Sequence, residues 1–233
     1  MSEQVHIVVD FNDENEYQEI NTFLKNKGFA FLSKQGSLPS APWVWVDLIN
    51  KTCRRGIVGV GFGFNAFERR ITYQEMLHIF SLLDLSYNAD SDYCKALTIA
   101  AQSHKGQYDK VGKDYLFHPL TVSSYCQTQK GKIVGLLHDV VEDTPITTEK
   151  LSKIFDDEIV TAIGLLTKTE GFEINEYYAA IKNNPLAREV KMADLTHNMD
   201  MSRFDGREIT EKDRARSKKY KGYYSYLSDE MPL

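Results

Sequence analysis

The stretch GLLHDVVEDTP, residues 135–145, sets His138, Asp139, Glu142 and Asp143 among Leu136, Leu137, Val140 and Val141. Burying an unpaired charge costs far more than burying an apolar residue, so something must compensate these groups. On a helix, positions i and i+4 share a face. The spacing therefore predicts His138 paired with Glu142, and Asp139 paired with Asp143 about 100° further round. Pro145 disfavours helix at Thr144, which is expected to end the helix and leave Glu142 and Asp143 at the edge of a cleft.

A second segment, NPLAREVKMADLTHNMDMS, repeats the anomaly, with Asp194 and Asn198 four apart on a face otherwise made of Ala187, Val190 and Met201. Such an inward polar pair needs a partner. A third, YLFHPLTVSSYC, places His118 directly before Pro119 and so at the first turn of a helix. Together His118, His138, Asp139 and Asp194 offer two imidazoles and two carboxylates, a mixed nitrogen and oxygen site with positions left for water and substrate. Such a donor set without thiolate suits Mn²⁺, and also admits Fe²⁺, Co²⁺ or Zn²⁺.

The elements that must position these residues fall into two groups. Up to residue 85, strand and helix signals alternate: VHIVVDF is β-rich, NEYQEINTFLKNKG has a helical period closed by Gly28, and PWVWVDLI with RRGIVGVGFGF reads as a hairpin. ITYQEMLHIFSLLDL then reads as an amphipathic helix with Thr72 and Glu75 at capping-box spacing. From Ala89 onward helical patterns succeed one another, with starts at Ser91, His118-Pro119, Thr147-Thr148, Asn184-Pro185 and Thr210. The expectation is a mainly α protein: a small α+β domain over residues 1–88, then an all-helical bundle over 89–233. Gly59, Gly61 and Gly63 do not make a dinucleotide fingerprint, because Phe64 stands where the third glycine belongs. They read as a glycine-faced strand.

Composition limits the function. A formal net charge of −5 argues against a duplex nucleic-acid binder with a large basic face, while leaving room for a local anion pocket. Cys53, Cys94 and Cys126 are odd in number and lack CxxC spacing, which fits reduced thiols in a cytoplasm. No basic and apolar leader opens the chain, and no apolar run approaches the roughly 20 residues that span a bilayer. A cytoplasmic protein away from membranes is expected. Trp43, Trp45 and Phe62 read as core, with a protein partner or self-association through residues 1–88 as the alternative.

The succession HKGQYDKVGKDYLFHP, GLLHDVVEDT, LTK and VKMADLTHNM resembles the HD-superfamily hydrolase domain of the RelA/SpoT type, including the small stand-alone alarmone hydrolases. The resemblance implies one Mn²⁺ held by His118, His138, Asp139 and Asp194. It also implies that Glu142 and Asp143 handle the attacking water and that Asn198 contacts the nucleotide. The implied reaction removes the 3′-pyrophosphate of guanosine tetra- or pentaphosphate, (p)ppGpp. Lys110, in the loop before His118, is expected to grip a phosphate. Where the alarmone hydrolases commonly carry Arg-Lys in this loop, the chain has Asp109-Lys110. That departure keeps an adenosine alarmone or a phosphorylated dinucleotide cofactor as alternative substrates. A non-catalytic nucleotide sensor is the reading from another class, and it would be expected to have lost a metal ligand. His197, beside the Asp194 site, reads as a support for the ligands. The basic C-terminal helix, with Arg216, Lys218 and Lys219, reads as a solvated face.

Overall fold

A computed structural model describes residues 6–31, 43–47, 52–55, 69–83, 91–204 and 208–229. The chain divides into two compact units, Met1–Cys94 and Lys95–Leu233. The expected boundary after residue 88 and the glycines of GVGFGF, with Phe62, lie outside the described residues.

The first unit carries a five-stranded sheet in the order β2-β4-β3-β1-β5. β1 (His6–Asp10) runs antiparallel to β3 (Trp43–Asp47) and parallel to β5 (Arg69–Thr72), while β2 (Ala30–Phe31) and β3 flank β4 (Thr52–Arg55). The expected hairpin is present between β3 and β4, but its second strand begins earlier than RRGIVGVGFGF, at Thr52. α1 (Glu14–Asn26) starts where the Asp13 side chain accepts from the Glu16 N–H, and it buries Ile20 and Leu24. Gly28, at φ +82°, closes it as the sequence indicated. α2 (Tyr73–Leu82) follows β5 directly.

From Asp92, three residues before the second unit begins, the described elements are helices. α3 (Asp92–Ser103) leads into α4 (Phe117–Tyr125), α5 (Gln129–Leu137), the single turns α6 (Val140–Asp143) and α7 (Thr148–Leu151), α8 (Asp157–Leu166) and α9 (Ile174–Lys182). α10 (Pro185–Met199), the 3₁₀ turn η1 (Met201–Phe204) and α11 (Glu211–Leu227) complete it. The starts follow from local chemistry. Thr147 and Asp156 cap α7 and α8, Asn184 caps α10 with Pro185 in its first turn, and Thr210 forms a capping box with Asp213 at α11. α4, α5 and α10 pack against one another around the fully buried Leu120, Leu136, Leu137 and Val190.

GLLHDVVEDT does not form the continuous helix that its spacing predicted. α5 stops at Leu137, and His138 and Asp139 make the turn into α6. The His138 Nδ1 lies 2.9 Å from the Gly135 carbonyl, the acceptor that the Asp139 N–H would use in a continuing helix. The imidazole thus competes for the helix's own hydrogen bond at the point where the helix ends. Met201, expected on the Asp194 face, lies beyond α10 in η1.

Gly135 also sets the spacing of α4 and α5. A Cβ added there would lie 2.8 Å from the Ser123 Cα and 2.9 Å from its N, closer than backbone allows. Gly135→Ala is therefore expected to destabilise the protein by roughly 1–3 kcal/mol, the usual cost of overpacking. Urea unfolding measures this, and an unchanged midpoint would mean that the two helices part without cost.

Candidate metal centre

α4, the α5–α6 turn and α10 bring the four expected donors together. The His118 and His138 Nε2 atoms stand 3.2 Å apart. The Asp139 Oδ2 lies 3.0 Å from the His138 Nε2 and 3.3 Å from that of His118. The Asp194 Oδ1 lies 3.3 Å from the His118 Nε2 and 3.9 Å from that of His138. His118, His138 and Asp194 are buried, with ligand atoms within 4.8 Å of one another, a group that could hold a metal ion.

The hydrogen bonds behind the rings decide which atoms face inward. A carbonyl only accepts, so the His138 Nδ1 must carry the proton it gives to Gly135, and in the neutral ring its Nε2 is a bare lone pair. The His118 Nδ1 lies 2.7 Å from the His197 Nδ1, and the two rings stack with centroids 4.9 Å apart. Burial, then the neighbouring His118 and Arg203, lower the His197 pKa to about 2. His197 is therefore neutral and accepts from His118, aiming the His118 Nε2 at the carboxylates. Imidazole lone pairs and carboxylates facing each other at these distances offer a donor set that could hold a cation. Burial opposes a charge on His118, but Asp139 and Asp194 outweigh it and raise its pKa to about 9.

The carboxylates are held as ions. Burial works against Asp194, yet the Lys191 charge and the two imidazoles keep it well below the usual carboxylate range. Asp139 is depressed against its own burial by His138 and His118. The Tyr115 hydroxyl, pushed up by burial and by Asp139, stays protonated and donates to the Asp139 Oδ2 at 2.6 Å. Lys191, buried, donates to the Asp194 Oδ2 at 2.8 Å, and Asn198 donates to the Asp194 Oδ1 at 2.5 Å. Asn198, expected on the nucleotide, thus spends its amide on the carboxylate while still lining the cleft.

That cleft has a volume of about 480 Å³ and is lined by three of the donors, His118, Asp139 and Asp194, a size suited to a small-molecule ligand. Glu142, Asp143 and Lys110 line it as well. Glu142 is clamped by Lys168, whose Nζ donates to both carboxylate oxygens at 3.0 Å and whose backbone N–H adds a third bond. Asp143 has its pKa raised by burial, then by Asp139 and Glu142. Its carbonyl accepts from Gln107, whose own side-chain oxygen binds the His104 Nδ1 at 2.8 Å. His104 thereby supports the turn that carries Asp143.

Tyr115, Lys191 and Arg203 are side chains of the site that the sequence reading did not name. Lys191 sits one helical turn before Asp194, a spacing that could have signalled it. Arg203 lies in a turn of no regular pattern, and no local signal points to it. Its Nη2 donates to the Asp109 Oδ2 at 2.8 Å and its Nη1 to the His197 carbonyl at 3.2 Å.

Comparison with known proteins bears on this arrangement. A guanosine-3′,5′-bis(diphosphate) 3′-pyrophosphohydrolase of Borreliella burgdorferi is 38% identical over 120 residues, 45% of this chain and 18% of the relative. One of the same name from Spiroplasma citri is 31% identical over 147 residues, 57% of this chain and 20% of the relative. The chain is similar to SpoT/RelA-type HD domains. It spans about a fifth of the length of these two relatives. Further relatives carry the name GTP pyrophosphokinase. No protein-family model matches the chain. A solved structure, described as a metazoan ortholog of SpoT that hydrolyzes ppGpp and plays a role in starvation responses, covers 59% of this chain and 85% of its own. Its TM-score is 0.49 and its identity 22%. Among the described residues, no helix is long and apolar enough to cross a membrane.

Proposed function

We propose that the chain is a metal-dependent pyrophosphohydrolase that removes the 3′-pyrophosphate of (p)ppGpp or a close relative. The single observation that carries this reading is the convergence of the His118 and His138 Nε2 atoms with the Asp139 and Asp194 oxygens at the edge of the cleft. The names of the 38% and 31% identical relatives support the substrate.

The geometry supports the following roles. His118, His138, Asp139 and Asp194 hold the ion, and two imidazoles with two carboxylates favour Mn²⁺ over a small, strongly hydrated cation. A bound divalent cation supplies Lewis acidity toward phosphoryl oxygen and water. Asp143, whose raised pKa suits a group that must accept a proton, takes it from the attacking water. Glu142 keeps Lys168 beside it, where the ammonium offsets charge building on the phosphoryl oxygens. Lys110 and Asn198 contact the nucleotide. We place this chemistry in residues 89–233 and in the cytoplasm.

A second reading, hydrolysis of an adenosine alarmone or a phosphorylated dinucleotide cofactor, is favoured by Asp109 at the position where a cation was expected. One experiment separates them: turnover of the Mn²⁺-loaded full chain against guanosine and adenosine polyphosphates, counting pyrophosphate against orthophosphate. Pyrophosphate released from guanosine tetraphosphate is the expected result, and orthophosphate alone would sink the proposal. Chelation should abolish turnover and Mn²⁺ should restore it better than Mg²⁺. Chelator-resistant turnover would remove the metal from the mechanism.

A further inference from the structure

Asp109 is built into its loop. Its Oδ1 accepts the N–H groups of Val111 and Lys113, both at 2.9 Å, while its Oδ2 takes the Arg203 guanidinium from η1. The second Arg203 bond, to the His197 carbonyl, ties the guanidinium to the residue that buttresses His118. A guanidinium has more donors than these two bonds consume, and Arg203 lines the cleft. Two further cations line it nearby: Lys110 on the Asp109 loop, and Arg216 on α11, held by the Asp213 carboxylate at 2.8 Å. Lys110 is destabilised as a cation by burial, then by Arg216 and Arg203, with Asp194 and Asp213 opposing. Arg203 and Arg216 thus act on Lys110 within one cleft, and Asp109 and Asp213 are each fastened to one of the two guanidiniums.

We infer that Arg203, oriented by Asp109, binds a phosphate of the nucleotide that is not attacked, the 5′-phosphate group, together with Lys110 and Arg216. The inference rests on the proposed nucleotide-hydrolase reading of the same cleft. A neutral base would leave the crowding of like charges unrelieved, whereas a multiply charged phosphate relieves it. The attacked phosphate is assigned instead to the four donors and to Lys168, which lines the same cleft paired with Glu142. The cation expected at position 109 is thus supplied from another element. Asp109 holds a cation there instead of contributing one.

Calorimetric titration of the full chain with guanosine 5′-diphosphate and with guanosine tests this. The parent should bind the diphosphate more tightly than the nucleoside. Arg203→Ala should weaken diphosphate binding by roughly 10- to 100-fold, as expected for a charge-assisted hydrogen bond, and leave guanosine binding unchanged. Arg203→Lys and Asp109→Asn, which preserve packing, should each lose about 3- to 10-fold for the diphosphate alone, because a lysine lacks the planar fork and an asparagine lacks the orienting charge. Equal losses for both probes, or a parent that does not prefer the diphosphate, would overturn the inference, since a strut or a base-stacking residue behaves that way. The hydrolase reading fails separately. A parent that binds the diphosphate through Arg203 but releases no pyrophosphate from guanosine tetraphosphate refutes the reaction and keeps the Arg203 assignment. Normal hydrolysis with an unchanged KM in Arg203→Ala refutes the assignment and keeps the reaction.

Discussion

Asp194→Ala is expected to strip the protein of its metal, reduce turnover to background and weaken the fold, all at once. One oxygen of Asp194 faces the two imidazoles, and the other holds Lys191, which is buried. Removing the carboxylate takes an anion from the metal and leaves a buried ammonium uncompensated. Breaking a buried pair from one side costs on the order of 3–5 kcal/mol. The metal affinity should fall by more than the roughly 10- to 100-fold typical of losing a group that only supports a ligand. Adding Lys191→Met should recover stability, because the stranded charge is then gone, but should recover neither metal nor turnover. Bound metal by mass spectrometry and stability by urea unfolding separate the two effects. A single variant that keeps stoichiometric Mn²⁺ would show that Asp194 is a structural partner of Lys191 and not a ligand.

Asp143→Asn should have the opposite signature: unchanged metal, with turnover lower by about 10²–10⁴-fold, the range for a lost general base. Among the described residues the Asp143 carboxylate makes no ion pair, and burial beside Asp139 and Glu142 raises its pKa. Glu142→Gln should also lose turnover with metal retained, for a different reason: its carboxylate holds Lys168 by both oxygens. Lys168→Met should then reproduce the Glu142→Gln loss and add little to it, because contacting partners are not additive. Parent-like turnover in Asp143→Asn would end its role as the proton acceptor.

The residues that meet at the candidate metal centre were legible in the sequence through their anomaly. His118 before Pro119, the HDVVED run and the Asp194-Asn198 pair placed charge where apolar residues would cost less. Helix starts were legible too, since Asn184 before Pro185 and Thr210 with Asp213 act within a single turn. The break after Leu137 was not, because the spacing of HDVVED suits a helix, while in the fold the His138 ring takes the Gly135 carbonyl at that point. Lys191 could have been noticed one turn before Asp194, yet its burial comes from the packing around α10.

Residue chemistry and local spacing alone determine the donor types, the caps and the mainly helical character of residues 91–229, because those depend on interactions within a turn or two. The partners of the charges were decided by tertiary structure. Arg203 reaches Asp109 across 94 positions, Lys168 reaches Glu142 across 26, and His197 reaches His118 across 79. No period or cap encodes such distances. They exist because burying α4, α5 and α10 against one another leaves each polar group only the neighbours that packing brings, and a buried charge must take one of them.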